Sequence, residues 1–206
     1  MKGNHQLLFL DFEFTMPEKS SRYKGFFPEI IEVGIVSVVN DRIREQFSSY
    51  VTPMQFPLLT ARCKSFLHIT QRQVDEGITF YELIKKLSDI GKNYTNSIIT
   101  WGNMDLKVLK NNCNKRNISF PFSGMEIDLS MEYKHFFGDK NQTGLWKAVK
   151  EYGREGIGKH HRALDDALTT YHIFKLVEKD KRYLEKHEPT TIGDRIDFTQ
   201  LINRFA

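Results

Sequence analysis

The chain has 206 residues, 40% of them hydrophobic and 27% charged, which suits one domain with a sizeable core and excludes a disordered polymer. Thirty Lys and Arg against 26 Asp and Glu leave a net charge of +4, which permits a polyanionic partner but lacks the excess of a histone-like binder. Two cysteines, Cys63 and Cys113, exclude a disulfide framework, and no CxxC pair points to zinc, so a reducing, cytoplasmic setting is expected.

From the N-terminus, residues 6–14 read as a buried strand that turns polar at its end, and the run Leu7-Leu8-Phe9-Leu10 stops at Asp11, too short for a signal peptide or a membrane span. Residues 15–28 carry Pro17, Ser20, Ser21, Gly25 and Pro28 and read as a loop. A β-branched strand follows at 29–39, then the turn signal Asn40-Asp41 and a third strand at 42–51, giving an antiparallel meander. Pro53 and Pro57 break the chain, and helical spacing runs to about residue 94, with Phe80, Leu83, Ile84, Leu87 and Ile90 on one side. A short strand at 97–101 leads into a helix at 104–116 and a brief strand at 125–128. Helices at 131–137 and 144–152, a glycine-bearing loop at 153–159, and a long helix at 162–178 complete the pattern, with an amphipathic piece at 198–205. Three antiparallel strands followed by alternating helices and strands indicate an α/β layer fold with a mixed sheet.

Side chains alternate along a strand, so Asp11 and Glu13 share one face while Phe12 and Phe14 share the other. Two like charges at the polar end of a buried strand repel unless a cation lies between them, and a divalent ion with oxygen ligands meets that need. Acid-x-acid spacing occurs three times, at Asp11/Glu13, Glu126/Asp128 and Glu178/Asp180, so position at the end of the most apolar strand singles out the first. Later, His160-His161-Arg162-Ala163-Leu164-Asp165-Asp166 overlaps two equal His-to-Asp spacings, His160/Asp165 and His161/Asp166. On a helix, Asp166 aligns with Thr170, Ile173 and Val177 toward the apolar side, whereas Asp165 aligns with Thr169 and His172 on a polar strip. A carboxylate drawn toward the core must be paired, protonated or metal-bound, which makes Asp166 the functional candidate and Asp165 a solvated acid. Asp105 opens the helix after the strand at 97–101, where the helix dipole alone favours an acid.

Together, Asp-x-Glu on the first strand, an Asp after the strand at 97–101, and His-x-Ala-Leu-x-Asp on the late helix resemble the DEDDh 3′–5′ exonucleases. Three further segments are similar to their Eri1-like branch: Leu67-His68-Ile69-Thr70-Gln71-Arg72-Gln73-Val74, Thr100-Trp101-Gly102-Asn103-Met104-Asp105 and Gln142-Thr143-Gly144-Leu145. The resemblance covers about residues 7–178. It implies a ribonuclease-H-like α/β fold with a mixed five-stranded sheet flanked by helices, an exonuclease domain at 1–180, and an unassigned extension at 181–206. Carried over residue by residue, it makes Asp11, Glu13, Asp105 and Asp166 the catalytic acids that hold two divalent ions, Mg²⁺ or Mn²⁺, and His161 the general base. Asp11 would bridge both ions, Glu13 and Asp166 would serve the one that activates water, and Asp105 the other.

The activity so implied is two-metal hydrolysis of single-stranded ends to nucleoside 5′-monophosphates, with RNA slightly favoured over DNA, no membrane, and a protein partner that the sequence does not identify. The competing reading is a non-catalytic regulatory protein on the same fold in a signalling pathway such as sporulation. Candidate substrate contacts are Phe14, Thr15 and Met16 after the first acids, Trp101 and the Phe26-Phe27 pair as base-stacking surfaces, and Arg162 beside the histidine. Lys107, Lys110, Lys115, Arg116 and Lys159 are candidates for steering phosphates, and equally for a solvated face. Glu32 reads as a structural partner, and Cys63 and Cys113 as small core residues.

Overall fold

The computed structural model describes residues 5–18 and 25–186. The meander is present: β1 (His5–Phe14), β2 (Ile30–Val39) and β3 (Arg42–Thr52) pair antiparallel in sequence order. Asn40 and Asp41 take φ values of 51° and 61°, the left-handed conformation that a two-residue hairpin turn needs to match strand twist. After β3 come α1 (Ala61–Leu67), α2 (Gln71–Asp75), β4 (Ile78–Thr79) and α3 (Phe80–Gly91), then β5 (Thr95–Thr100) and α4 (Met104–Lys115). The remaining elements are β6 (Gly124–Asp128), α5 (Leu129–Phe137), α6 (Leu145–Glu151) and α7 (Ala163–Lys186). The sheet order is β4-β3-β2-β1-β5-β6, with β5 parallel to β1 and β6 parallel to β5.

The sheet therefore has six strands where five were expected. The additional strand, β4, is two residues long and joins Val51 and Thr52 at the sheet edge, too short to show any hydrophobic period. The helical stretch expected up to residue 94 is three helices. His68 ends α1 with a left-handed φ of 52°, and capping boxes at Thr70 and Thr79 start α2 and α3 afresh. The last helix runs past its expected end at 178 to Lys186. The amphipathic piece at 198–205, most of the expected extension and part of the expected loop at 15–28 lie outside the described residues. The described residues fall into two compact units divided between Ile173 and Phe174, and the site below belongs wholly to the first. Among the described residues, no helix is long and apolar enough to cross a membrane.

Alternation along β1 sorts its side chains onto two faces. Leu8, Leu10 and Phe12 join Val33, Ile35 and Ile98 in a core closed by Leu83 and Leu87 of α3 and Leu106 and Leu109 of α4. Phe9 faces the other way, its ring 5.0 Å from that of Tyr171 on α7. The start of α7 presses so closely on β2 that a Cβ at Gly34 would come 2.1 Å from the Ala163 carbonyl carbon, so that position must be glycine. Asp11 and Glu13 belong to the Phe9 set, and the close approach at Gly34 brings Asp166, one turn into α7, over them.

Candidate active site

One carboxylate oxygen from each of Asp11, Glu13 and Asp166 lies within 4.8 Å of the others. Asp11 and Glu13 arrive on β1, whose pairing with β2 shifts register just after Glu13, a bulge of the kind that re-aims side chains at functional edges. Asp166 arrives on α7 along the expected buried stripe, since Thr170, Ile173 and Val177 are all buried with it. Asp105, in the first turn of α4, stands outside that trio. Its Oδ1 accepts the Phe12 backbone N–H at 2.9 Å, and only 6% of the residue is exposed.

The electrostatics agree with the geometry. Burial first, then the charges of Asp105, Asp166, Glu13 and Glu32, holds the Asp11 carboxyl well above its usual range. Burial, then Glu32 and Asp166, pushes Glu13 up to about 8. Asp105 is pushed up to about 7, chiefly by burial and against the bond from Phe12. Burial also raises Asp166, opposed by its hydrogen bond from Trp146. Crowded carboxyl oxygens that hold their protons this firmly fit a hard divalent cation, which replaces the protons and cancels the repulsion.

His161 sits beside the trio with Nδ1 3.8 Å from Glu13 Oε1. Its ring is 4.5 Å from that of Phe66, tilted, and stacks on that of His160 at 3.8 Å. Burial, then the neighbouring His160, Arg162 and His68, lowers its pKa, which favours the neutral imidazole that accepts a proton. Its backbone N–H donates to Asp166 Oδ2 at 3.1 Å, while the Trp146 indole donates to Asp166 Oδ1 at 2.6 Å. Trp146, Phe66 and the His160 stack have no counterpart among the sequence candidates. The one signal for Trp146 is its place directly after the segment Gln142-Thr143-Gly144-Leu145.

Several other expectations meet a different arrangement. Asp165 is half-buried rather than solvated, and its Oδ2 accepts the Lys159 backbone N–H at 2.7 Å, pinning the loop before α7. Arg116 forms a buried ion pair with Glu29 and is withdrawn from phosphate steering, while Lys110 pairs with Glu126 at 2.6 Å. Lys115 lies 5.3 Å from the centre of the Phe27 ring. Phe26 and Phe27 both pack on Phe56, at 4.9 and 5.5 Å. Lys107 lines a separate shallow pocket with Asn103 and Glu126.

Of the proposed substrate contacts, Thr15 and Met16 line a largely apolar cleft of about 480 Å³ with Phe26, Phe56 and Leu59. Thr15 Oγ1 also accepts the Glu29 N–H at 2.9 Å. Phe14 packs against the main core. Trp101 donates Nε1–H to the Thr143 carbonyl at 3.0 Å and meets Tyr133 edge-on. Arg162 spans Glu32 at 3.0 Å, the Tyr50 hydroxyl at 3.1 Å and the Leu67 carbonyl, so Glu32 is the structural partner expected. Cys63 and Cys113 are free and buried.

A mixed sheet in this order, with carboxylates gathered where β1 meets the start of α7, defines a nuclease of the ribonuclease-H-like fold. The chain belongs to the RNase_T family of exonucleases, whose pattern matches residues 8–174. It is 60% identical over 200 residues to the probable 3′–5′ exonuclease KapD of Bacillus subtilis, covering 97% of this chain and 98% of that protein. It is 31% identical over 195 residues to human 3′–5′ exoribonuclease 1, covering 89% of this chain and 55% of the human protein's length. Among solved structures, the nuclease domain of 3′hExo, a DEDDh family member bound to rAMP, superposes with a TM-score of 0.77 at 29% identity, over 86% of this chain and 93% of that one. The protein is accordingly a 3′–5′ exonuclease with a nucleic-acid substrate.

Proposed function

We propose that the protein removes nucleotides from the 3′ end of single-stranded nucleic acid, RNA ahead of DNA, and releases nucleoside 5′-monophosphates. The observation that carries this reading is the meeting of Asp11, Glu13 and Asp166 oxygens within 4.8 Å, with a neutral-leaning His161 beside them. Asp11, Glu13, Asp105 and Asp166 would hold two ions, Mg²⁺ or Mn²⁺, and the all-oxygen donor set fits such hard cations. When bound, those ions supply Lewis-acid polarisation of the scissile phosphate and a hydroxide at neutral pH.

The chain's own residues do the rest. Asp11 presents its carboxylate at the centre of the acidic group, and the Trp146 and His161 N–H groups orient Asp166. His161 Nδ1 faces Glu13, which leaves Nε2 to take the proton of the attacking water. Thr15 and Met16 line the cleft that receives the terminal nucleotide, and Phe14, Trp101 and Arg162 hold neighbouring segments in place through the core, the Thr143 carbonyl and Glu32. The lean toward RNA is supported by relatives named as exoribonucleases. On this reading residues 1–180 are the exonuclease domain and 181–206 an extension, and the two free buried cysteines suit a reducing, cytoplasmic setting.

The test is incubation of the full chain with 5′-labelled single-stranded RNA and DNA, with Mn²⁺, with Mg²⁺ and with chelator. A ladder that shortens from the 3′ end only with metal, and faster on RNA, is expected. Inertness on both polymers overturns the reading.

A further inference from the structure

Three donor atoms of a different kind meet on the outer side of the same site. One ring nitrogen from each of His160 and His161 and one oxygen of Asp166 lie within 4.8 Å of one another. Side chains of consecutive residues ordinarily point apart in an extended segment. Here the left-handed φ of 62° at His161 swings its ring back onto that of His160, and the two stack at 3.8 Å with 20° between their planes.

The bend is built rather than accidental. The Lys159 N–H is bonded to Asp165 Oδ2 and the His161 N–H to Asp166 Oδ2. Gly158, with a φ of 67°, leaves no room for a Cβ, which would come 2.2 Å from the Asp165 carboxyl. A left-handed conformation at a non-glycine residue is strained and persists only where its surroundings enforce it. Trp146 completes the surround: its ring is 5.1 Å from that of His160, and its N–H orients Asp166 as the outer-shell partner of a metal ligand would.

Two imidazole nitrogens and one carboxylate oxygen form a borderline-soft donor set, the set that Zn²⁺ takes with a fourth position left open, once the exposed His160 ring turns out of the stack to aim its in-plane lone pair at the ion. Mg²⁺ prefers the all-oxygen set of Asp11, Glu13 and Asp166. We propose that His160, His161 and Asp166 form a separate Zn²⁺ site, and that its occupation switches the nuclease off. The two donor sets share Asp166, so they compete. Zn²⁺ in the nitrogen-containing set also occupies the imidazole assigned as proton acceptor. His160, which is solvent-exposed and has no part in the hydrolytic machinery, gives the ion its entry and distinguishes this site from the acidic one. The inhibitory consequence rests on the proposed function; the binding does not.

The experiment uses Co²⁺ as a visible-absorption probe and Zn²⁺ in competition with a chromogenic chelator, on the full chain and on His160→Ala, His160→Asn and Asp11→Asn. Expected are a nitrogen-ligated Co²⁺ spectrum that survives in Asp11→Asn, and Zn²⁺ affinity reduced in both His160 variants by roughly 10- to 100-fold or more, the scale set by losing even an outer-shell partner. In cleavage assays at saturating Mg²⁺, the Zn²⁺ concentration that halves activity should rise by the same factor in the His160 variants. Equal Zn²⁺ binding, or equal inhibition, in wild type and His160 variants overturns the proposal. A protein inert on RNA and DNA would refute the proposed function, while the Co²⁺ and Zn²⁺ titrations would still decide this site.

Discussion

The indole N–H of Trp146 meets Asp166 Oδ1 at 2.6 Å while the backbone N–H of His161 meets Oδ2 at 3.1 Å, so both oxygens of this carboxylate are oriented by the protein itself. One donor comes from the helix α6 and the other from the loop that carries the histidine, which couples the position of the acid to that of the base.

Replacing Trp146 by Phe keeps an aromatic ring on α6 but removes the N–H together with the outer part of the indole that faces Gly156. Loss of an outer-shell partner weakens metal binding by about 10–100-fold. The Mn²⁺ concentration for half-maximal cleavage should rise by that factor with KM for the oligonucleotide unchanged. Metal titration of initial rates checks this, and an unchanged requirement contradicts it.

The proton affinities of the acids set a pH dependence with a definite sign. Glu13 moves from an ordinary 4.5 to about 8 and Asp105 from 3.8 to about 7, so near neutral pH the metal-free folded chain holds protons that the unfolded chain has lost. Its stability therefore falls as pH rises toward 8. The lowered pKa of His161 acts in the opposite direction, and its effect is complete above its ordinary value of 6.5. Between about pH 6.5 and 8, melting temperatures in chelator should decline, whereas apparent Mn²⁺ affinity should tighten as bound protons are no longer there to be displaced. Calorimetry in buffers of different ionisation enthalpy should register proton release on Mn²⁺ binding, greater near pH 6.5 than near pH 9. Zero release contradicts the assignment.

How much of this site could be read without coordinates depends on how local each residue's constraint is. Asp11 and Glu13 follow from strand alternation, and Asp166 from a helical stripe whose members are all buried. Both are period arguments that hold within a few residues. Asp105 needed the family resemblance, because what distinguishes it from an ordinary helix-start acid is a bond to the Phe12 N–H, 93 residues away in sequence. Trp146 and Phe66 owe their places to how α6 and the end of α1 pack on the loop that carries His160 and His161, which no periodicity encodes. Arg162 reads as a substrate contact and Arg116 as a phosphate-steering cation because their carboxylate partners, Glu32 and Glu29, sit on a distant strand and at its entry. The five-strand expectation missed β4 for the opposite reason, since two residues are too few to show a pattern.

Asp105 separates charge from scaffold. Asp105→Asn keeps an oxygen for the Phe12 N–H while removing the charge, whereas Asp105→Ala leaves that buried donor unpaired at a cost of about 1–3 kcal/mol. Both variants should lose cleavage by about 100-fold or more. Only the alanine variant should lose stability in urea denaturation. Equal destabilisation by both would show the acid to be structural.

Glu29 anchors the entry to β2. Its buried carboxylate accepts N–H groups from Met54 at 3.0 Å, Gln55 at 2.9 Å and Phe56 at 2.7 Å, and pairs with Arg116, itself 9% exposed. Glu29→Gln strands the guanidinium in the interior and should cost about 3–5 kcal/mol, with much of it recovered when Arg116→Met is added. Chemical denaturation of the single and double variants checks this, and a neutral single variant contradicts it.

The most direct test of the account is single-turnover cleavage by Asp11→Asn, which preserves side-chain size and hydrogen-bonding capacity while deleting one charge from the centre of the acidic group. With saturating Mn²⁺ and a 5′-labelled oligoribonucleotide, and with folding verified by circular dichroism, the expected result is a rate at least about 100-fold below wild type. A variant that trims the 3′ end at the wild-type rate would contradict the claim that Asp11, Glu13, Asp105 and Asp166 together form the hydrolytic site.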